Sequence, residues 1–160
     1  MENWIVAASN VYALRAIAAW PLGSVGQWLC VAAALASTAY HLIECKKHHM
    51  PGVPGLADYS WTQHYRLLNL DRAAAAALGL YLAAVAWRAQ RVGLIAPACA
   101  ALAANALSEL FRYVQITDGL STNDAVGPRV SWRLQRAWYM CWHCAWHVAA
   151  FHLAYVLANA

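Results

Sequence analysis

The chain has 160 residues, 62% of them hydrophobic and 11% charged, with a formal net charge of +4. An ordinary soluble domain is nearer half apolar and a quarter charged, and one of this size could not hide so much apolar surface. The eleven Lys and Arg residues are spread along the chain, which excludes the dense basic stretch of a nucleic-acid-binding protein and leaves positive charge to orient membrane helices.

Composition therefore predicts an all-α integral membrane helical bundle, folded as a single domain over residues 1–160, multi-pass, in a plasma membrane or endomembrane. The N-terminus, Met1-Glu2-Asn3-Trp4, lacks the basic region of a signal peptide, so the first apolar stretch is read as retained. No lipidation signal is visible at either end.

The first span, Trp4 to Trp20, carries Asn10 and Arg15 and stops at Pro21 and Gly23. It crosses only if Arg15 faces the bundle or reaches the interface. The second, Val25 to about Ile43, has no charge before Glu44 and carries Ser37 and His41, four residues apart and so on one helix face. Glu44 to Arg66 reads as a polar connection, broken by Met50-Pro51-Gly52-Val53-Pro54-Gly55. The third span runs from near Leu67 to Trp87, with Asn69, Asp71 and Arg72 in its first turns. Its Ala73 to Ala77 run offers a small-residue surface suited to close helix contact. After Arg88-Ala89-Gln90-Arg91, a fourth span runs from Val92 to about Leu110, with Pro97 near its start and Ser108 and Glu109 near its end. Arg112 to Arg136 is a second polar connection, and Ala137 to Ala158 is the fifth span. The count is about five transmembrane helices, or four if the first stretch lies at the interface.

Five cysteines, Cys30, Cys45, Cys99, Cys141 and Cys144, form no secreted-type framework, so no structural disulfide set is expected. Cys141 and Cys144 make a CxxC around His143; inside a membrane helix they read as small packing residues rather than a thiol site.

The chemistry concentrates in Trp142-His143-Cys144-Ala145-Trp146-His147. His143 and His147 share a helix face, one turn apart. Bare imidazoles in so apolar a segment cost free energy unless something binds them. With five spans, the end of the second, the start of the third and the start of the fifth lie on one side of the membrane. Ser37, His41, Asp71, His143 and His147 then converge at one depth. Three histidines with one open position form the ligand set of a catalytic Zn2+. Zinc lowers the pKa of a bound water to about 7; Asp71 would take its proton or hold it, and Ser37 would hydrogen-bond it or steady an oxyanion. Blander readings stand beside this. Ser37 alone is an intrahelical hydrogen-bonder, and Asp71 and Arg72 are the polar first turn of a helix, favoured by its dipole. His152 is a packing or interface residue, His48, His49 and His64 are solvated, and Trp132, Trp138, Trp142 and Trp146 are interface anchors.

Ser37-x-x-x-His41 ending one span, Asp71 opening the next and His143-x-x-x-His147 in the last together resemble the CREST superfamily. That group includes the alkaline ceramidases, the progestin and adiponectin receptors, and myomaker with its relatives. Ala39-Tyr40-His41-Leu42-Ile43-Glu44 and Trp142-His143-x-x-Trp146-His147 look most like the myomaker-related branch. The resemblance implies that His41, His143 and His147 ligate zinc, that Asp71 and Ser37 are catalytic beside the bound water, and that the substrate is a lipid amide or ester. The family has seven spans and this chain has room for about five, so it is a shortened form; the loss falls between the third and last spans.

Three functions follow as expectations. The first is a zinc-dependent hydrolase of a lipid. The second is a non-enzymatic, metal-braced receptor-like or fusion-like protein. The third is a haem protein with axial histidines on separate helices, which leaves Ser37 and Asp71 unexplained. Membrane lipids are the expected partners, a second copy of the chain is a further candidate, and nucleic acid is not expected. Lys46, Lys47, Arg66, Arg112, Arg129, Arg133 and Arg136 lie on the site side, against Arg88 and Arg91 opposite. The positive-inside rule then places the site near the cytosol.

Overall fold

A computed structural model describes the backbone of residues 2–43, 61–121 and 129–159, and the side chains of 4–42, 66–110, 134 and 137–159. The described chain is helical throughout, with no strand among the described residues. Its elements are α1 (Glu2–Ser9), a 3-10 turn (Asn10–Tyr12), α2 (Ala13–Ala19), α3 (Val25–Ile43), α4 (Trp61–Arg88), a 3-10 turn (Val92–Leu94), α5 (Ile95–Ser121) and α6 (Arg129–Ala158).

Local chemistry sets the helix ends. Trp20 is extended (φ −76°, ψ 145°), as the residue before a proline prefers, so α2 stops ahead of Pro21. Helix α3 starts on a reciprocal cap. The Gln27 backbone N–H donates to Ser24 Oγ at 3.2 Å, and the Gly23 N–H donates to Gln27 Oε1 at 2.8 Å. Helix α4 ends in a Schellman motif: Arg91 N–H reaches the Ala86 carbonyl, Gln90 N–H reaches that of Trp87, and Gln90 takes the left-handed position at φ 52°. Pro97 is tolerated because it sits in the first turn of α5, where backbone N–H groups have no partner in the helix.

Three helices run longer than the sequence pattern suggests. Trp61 to Arg66 belongs to α4, and α5 and α6 reach Ser121 and Arg129 into the second polar connection. Polar side chains alone do not end a helix; the three extensions are free of proline, and the breakers nearby are Gly119 within α5 and Gly127-Pro128 ahead of α6. Asp71 accordingly lies well inside α4, beyond reach of the N-terminal dipole, which acts only over the first turn.

Helix α6 touches every other helix. An apolar core of Ala13, Ala16, Cys30, Ala33, Leu78, Leu82, Phe151, Ala154 and Leu157 joins α2, α3, α4 and α6. Large apolar side chains face outward instead, among them Trp28, Leu35, Leu80, Trp87, Leu102 and Val148. The buried polar side chains among the described residues are Asn10, Ser37, His41, Ser108, His143 and His147. A buried polar cluster thus sits beside the apolar core, while large apolar side chains lie on the outer surface.

Two helical stretches, Arg66–Arg88 and Val92–Leu110, are long and apolar enough to cross a membrane, and Trp4–Ala19 is a shorter apolar helix. Polar residues inside α3 and α6, chiefly Gln27, Ser37, His41, His143, His147 and His152, dilute the apolar character of those two. Arg15 neither faces the bundle nor extends away from it: its guanidinium carbon lies 4.0 Å above the Tyr155 ring on the outer surface.

Candidate metal centre

The site is built from two helix faces, each carrying a pair one turn apart. Helix α3 supplies Ser37 and His41, and α6 supplies His143 and His147. Their packing brings one ligand nitrogen of each of the three histidines within 4.8 Å of the others. His41 Nε2 and His143 Nε2 are 3.0 Å apart. Ring centroids are separated by 4.7 Å for His41 and His143, 5.7 Å for His41 and His147, and 4.7 Å for His143 and His147. Two tetrahedral bonds of 2.0–2.1 Å to zinc set their nitrogens about 3.3 Å apart, a spacing close to that of the His41 and His143 pair.

Two serines fix the imidazoles. Ser9 Oγ donates to the Val6 carbonyl at 2.6 Å and lies 2.6 Å from His147 Nδ1. Ser108 Oγ donates to the Asn105 carbonyl at 2.8 Å and lies 3.2 Å from His143 Nδ1. Each hydroxyl hydrogen is spent on its own helix backbone, so each oxygen accepts the Nδ1–H of its histidine. Both rings are thereby held as the Nδ1–H tautomer, which turns the Nε2 of each toward the centre of the cluster. Metal-ligating histidines are held in this way by a hydrogen-bonding partner on their second nitrogen. The donor set could therefore hold a metal ion: imidazole nitrogens from two helices, two of them oriented from behind.

The polar side continues through α3 to the N-terminal helix. Ser37 Oγ is 3.0 Å from His147 Nε2 and accepts a hydrogen bond from Asn10 Nδ2 at 3.1 Å. Adjacent residues on a helix point about 100° apart. Ser9 at the end of α1 thus grips α6 while Asn10, in the 3-10 turn, grips α3. All six buried polar side chains belong to this one network.

Beside it lies an apolar cavity of about 220 Å³ running between α3, α4, α5 and α6. Asn10, Ser37, Asp71 and His147 form its polar end; Ala33, Ala75, Leu78, Gly79, Leu82, Ala101 and Leu157 are among its apolar walls. Within the Ala73 to Ala77 run, Ala74 packs against the apolar core and Ala75 lines the cavity, while Ala73, Ala76 and Ala77 are exposed.

The structure brings Ser37, His41, His143 and His147 together and places Asp71 on the rim of the adjoining cavity, outside the group of three ligand nitrogens. Arg72 turns away and pairs with Glu109 of α5 at 2.9 Å on an exposed face. His152 is exposed, with Nδ1 3.4 Å from the Tyr12 hydroxyl, apart from the cluster. Cys30, Cys99, Cys141 and Cys144 are free, and Cys141 is exposed rather than packed. Trp138 and Trp142 stack on one another, while Trp146 lines the cavity. Cys45, His48 and His49, and the side chains of His64 and Trp132, lie outside the described residues.

Sequence reading missed Ser9 and Ser108 and gave Asn10 no role at the site. A serine or asparagine in an apolar helix is common, and nothing local marks the one whose partner sits on another helix. No protein-family model matches the chain, and neither does any curated protein or solved structure.

Proposed function

We propose that this chain is a membrane-embedded, zinc-dependent hydrolase of an amide or ester bond in a lipid, a shortened relative of the CREST superfamily. The observation that carries this reading is the meeting of His41, His143 and His147 beside an apolar cavity whose polar end His147 lines. The outward-facing Trp and Leu side chains support a membrane location. In this reading Trp4–Trp20 and helices α3 to α6 make five crossings.

His41, His143 and His147 would hold the ion. A bound zinc supplies a coordinated water that ionises near neutral pH. Asp71, on the cavity rim, accepts a proton from the attacking water and returns it to the leaving group. Ser37 Oγ, beside His147, donates to the oxygen on which negative charge develops. The apolar walls hold the acyl chain and keep the scissile bond at the polar end.

Metal analysis of the detergent-purified protein tests the first step. About one zinc per chain is expected, lost in His143→Ala. A well-folded, metal-free wild type rejects the reading. Lipid profiling tests the second: Asp71→Ala should keep its zinc and lose turnover.

A second reading is a non-enzymatic, metal-braced receptor-like or fusion-like protein. One observation favours it: the Asp71 carboxylate stands outside the ligand group. Biological activity surviving Asp71→Ala, together with unfolding of His41→Ala, selects this alternative.

A further inference from the structure

The two helices on either side of the cavity barely meet. Among the described residues α4 packs along α3 and α5 packs along α6, and α4 and α5 come together chiefly at the 3-10 turn Val92–Leu94. Antiparallel helices joined by so short a connection ordinarily pack side by side. Here a slot stays open between them.

At the end far from the turn one bond bridges the slot. Arg72 Nη2 of α4 and Glu109 Oε2 of α5 are 2.9 Å apart. Stepping from that pair toward the turn, down one helix and back along the other, puts Gly79 opposite Leu102 and Ala83 opposite Ala98. All four line the cavity, and Gly79, Ala83 and Leu102 are also exposed, so the cavity reaches the surface between them. Leu102 does not fill the gap, because a Cβ built on Gly79 meets nothing within 4 Å. From Arg72 to Arg88, where α4 ends, the helical rise makes the slot about 24 Å long.

The lips are apolar, and so is the surface around them: Leu80, Trp87 and Ile95 stand exposed on the same two helices. In the five-crossing reading that surface faces hydrocarbon. A lipid chain moving through the slot keeps its methylenes out of water, which every aqueous route would expose. The turn fixes one end of the slot covalently, so its sides part more readily at the other. The bridge there is partly exposed, and an ion pair in that setting is weak enough to open and reclose.

We propose that the slot between α4 and α5 is the lateral entry by which a single hydrocarbon chain passes from the bilayer into the cavity, and that Arg72 and Glu109 are the clasp at its polar end. This rests on the reading of the cavity as a lipid site and adds the direction of approach. The polar group that follows the chain passes the clasp beside Asp71 on the cavity rim.

Trp146 lines the cavity, so a dodecanoyl amide brominated midway along its chain quenches it; the Trp146 signal is the difference from Trp146→Phe. Entry is followed on mixing with the detergent-purified protein, and exit on chasing with unbrominated amide. Arg72→Glu and Glu109→Arg each set like charges face to face. Each should raise both rates roughly two- to fivefold, the scale of an exposed ion pair, and leave their ratio near wild type. The exchange Arg72→Glu/Glu109→Arg should restore both rates. Ala83→Phe/Ala98→Phe puts a ring on each lip and should slow entry at least roughly tenfold.

Rates unmoved by the single charge changes, or not restored by the exchange, overturn the proposal. So does undiminished entry in the phenylalanine variant; if that protein is then dimeric, the slot is its seam. The charge series decides by itself if the phenylalanine variant does not fold. Rates that ignore the clasp in a protein that holds zinc and turns over lipid defeat this inference and leave the hydrolase reading standing; a metal-free protein whose uptake follows the clasp does the reverse.

Discussion

Ser108 Oγ and His143 Nδ1 lie 3.2 Å apart, with the serine fully buried and its hydroxyl hydrogen committed to the Asn105 carbonyl at 2.8 Å. The serine therefore acts as an acceptor that sets the tautomer of a ligand on the neighbouring helix. Ser108→Ala should leave the helices intact and weaken zinc binding about 10–100-fold, the usual effect of removing such a partner. Ser9→Ala should do the same through His147. Competition against a chelator of known affinity checks both. Unchanged affinity in both variants would mean that the hydroxyls are packing residues only.

The cluster also discriminates among the histidines of α6. His147 and His152 are five residues apart on the same helix, yet His147 is 5% exposed in the site while His152 faces outward near Tyr12. His152→Ala should retain about one zinc per chain with little change in thermal stability, since exposed substitutions commonly cost under about 0.5 kcal/mol. His143→Ala should lose the metal. Metal content measured on both variants side by side tests the assignment, and loss of zinc from His152→Ala would refute it.

Helical periodicity alone paired Ser37 with His41 and His143 with His147, because residues four apart share a face. It could not name Ser9, Asn10 or Ser108, whose partners belong to helices distant along the chain. The same limit applies to Asp71: sequence order put it near the histidines, but only packing shows that it borders the cavity and stands apart from the ligand nitrogens. Helical character was legible from the apolar runs. Helix length was less so, because a polar turn such as Trp61 to Arg66 reads as a connection until its backbone is seen. The Ala73 to Ala77 run is a related case: Ala74 packs on the core and Ala75 borders the cavity, a division that composition does not show.

Where close approach does occur, it has a measurable consequence. A Cβ built on Gly26 would lie 2.5 Å from Trp20 Cδ2, with other indole atoms nearly as close. Trp20 also packs on Tyr81 of α4, ring centroids 5.6 Å apart. Gly26→Ala forces the indole off this seat and should cost about 1–3 kcal/mol as an overpacking change, despite the better helix propensity of alanine. Thermal unfolding in detergent checks the sign. A rise in stability would show that the indole moves without penalty.

Gly79 is the opposite case and separates the cavity from the metal centre. It lies inside α4, borders the cavity, and a Cβ added there meets nothing within 4 Å. The Cβ of Gly79→Leu therefore enters open space, and the change replaces the poorest ordinary helix former by a good one, a local gain of up to about 1 kcal/mol. Its side chain would occupy the space between α4 and α6 that a lipid chain needs. The variant should be at least as stable as wild type and keep one zinc, because no histidine contact changes. Its affinity for a brominated dodecanoyl amide, read by Trp146 quenching, should fall at least roughly tenfold, the scale of an overpacked cavity. Ala75→Leu, one turn away on the same wall, should behave alike. Undiminished quenching in both variants, with zinc retained, would place the chain-binding surface elsewhere on the bundle.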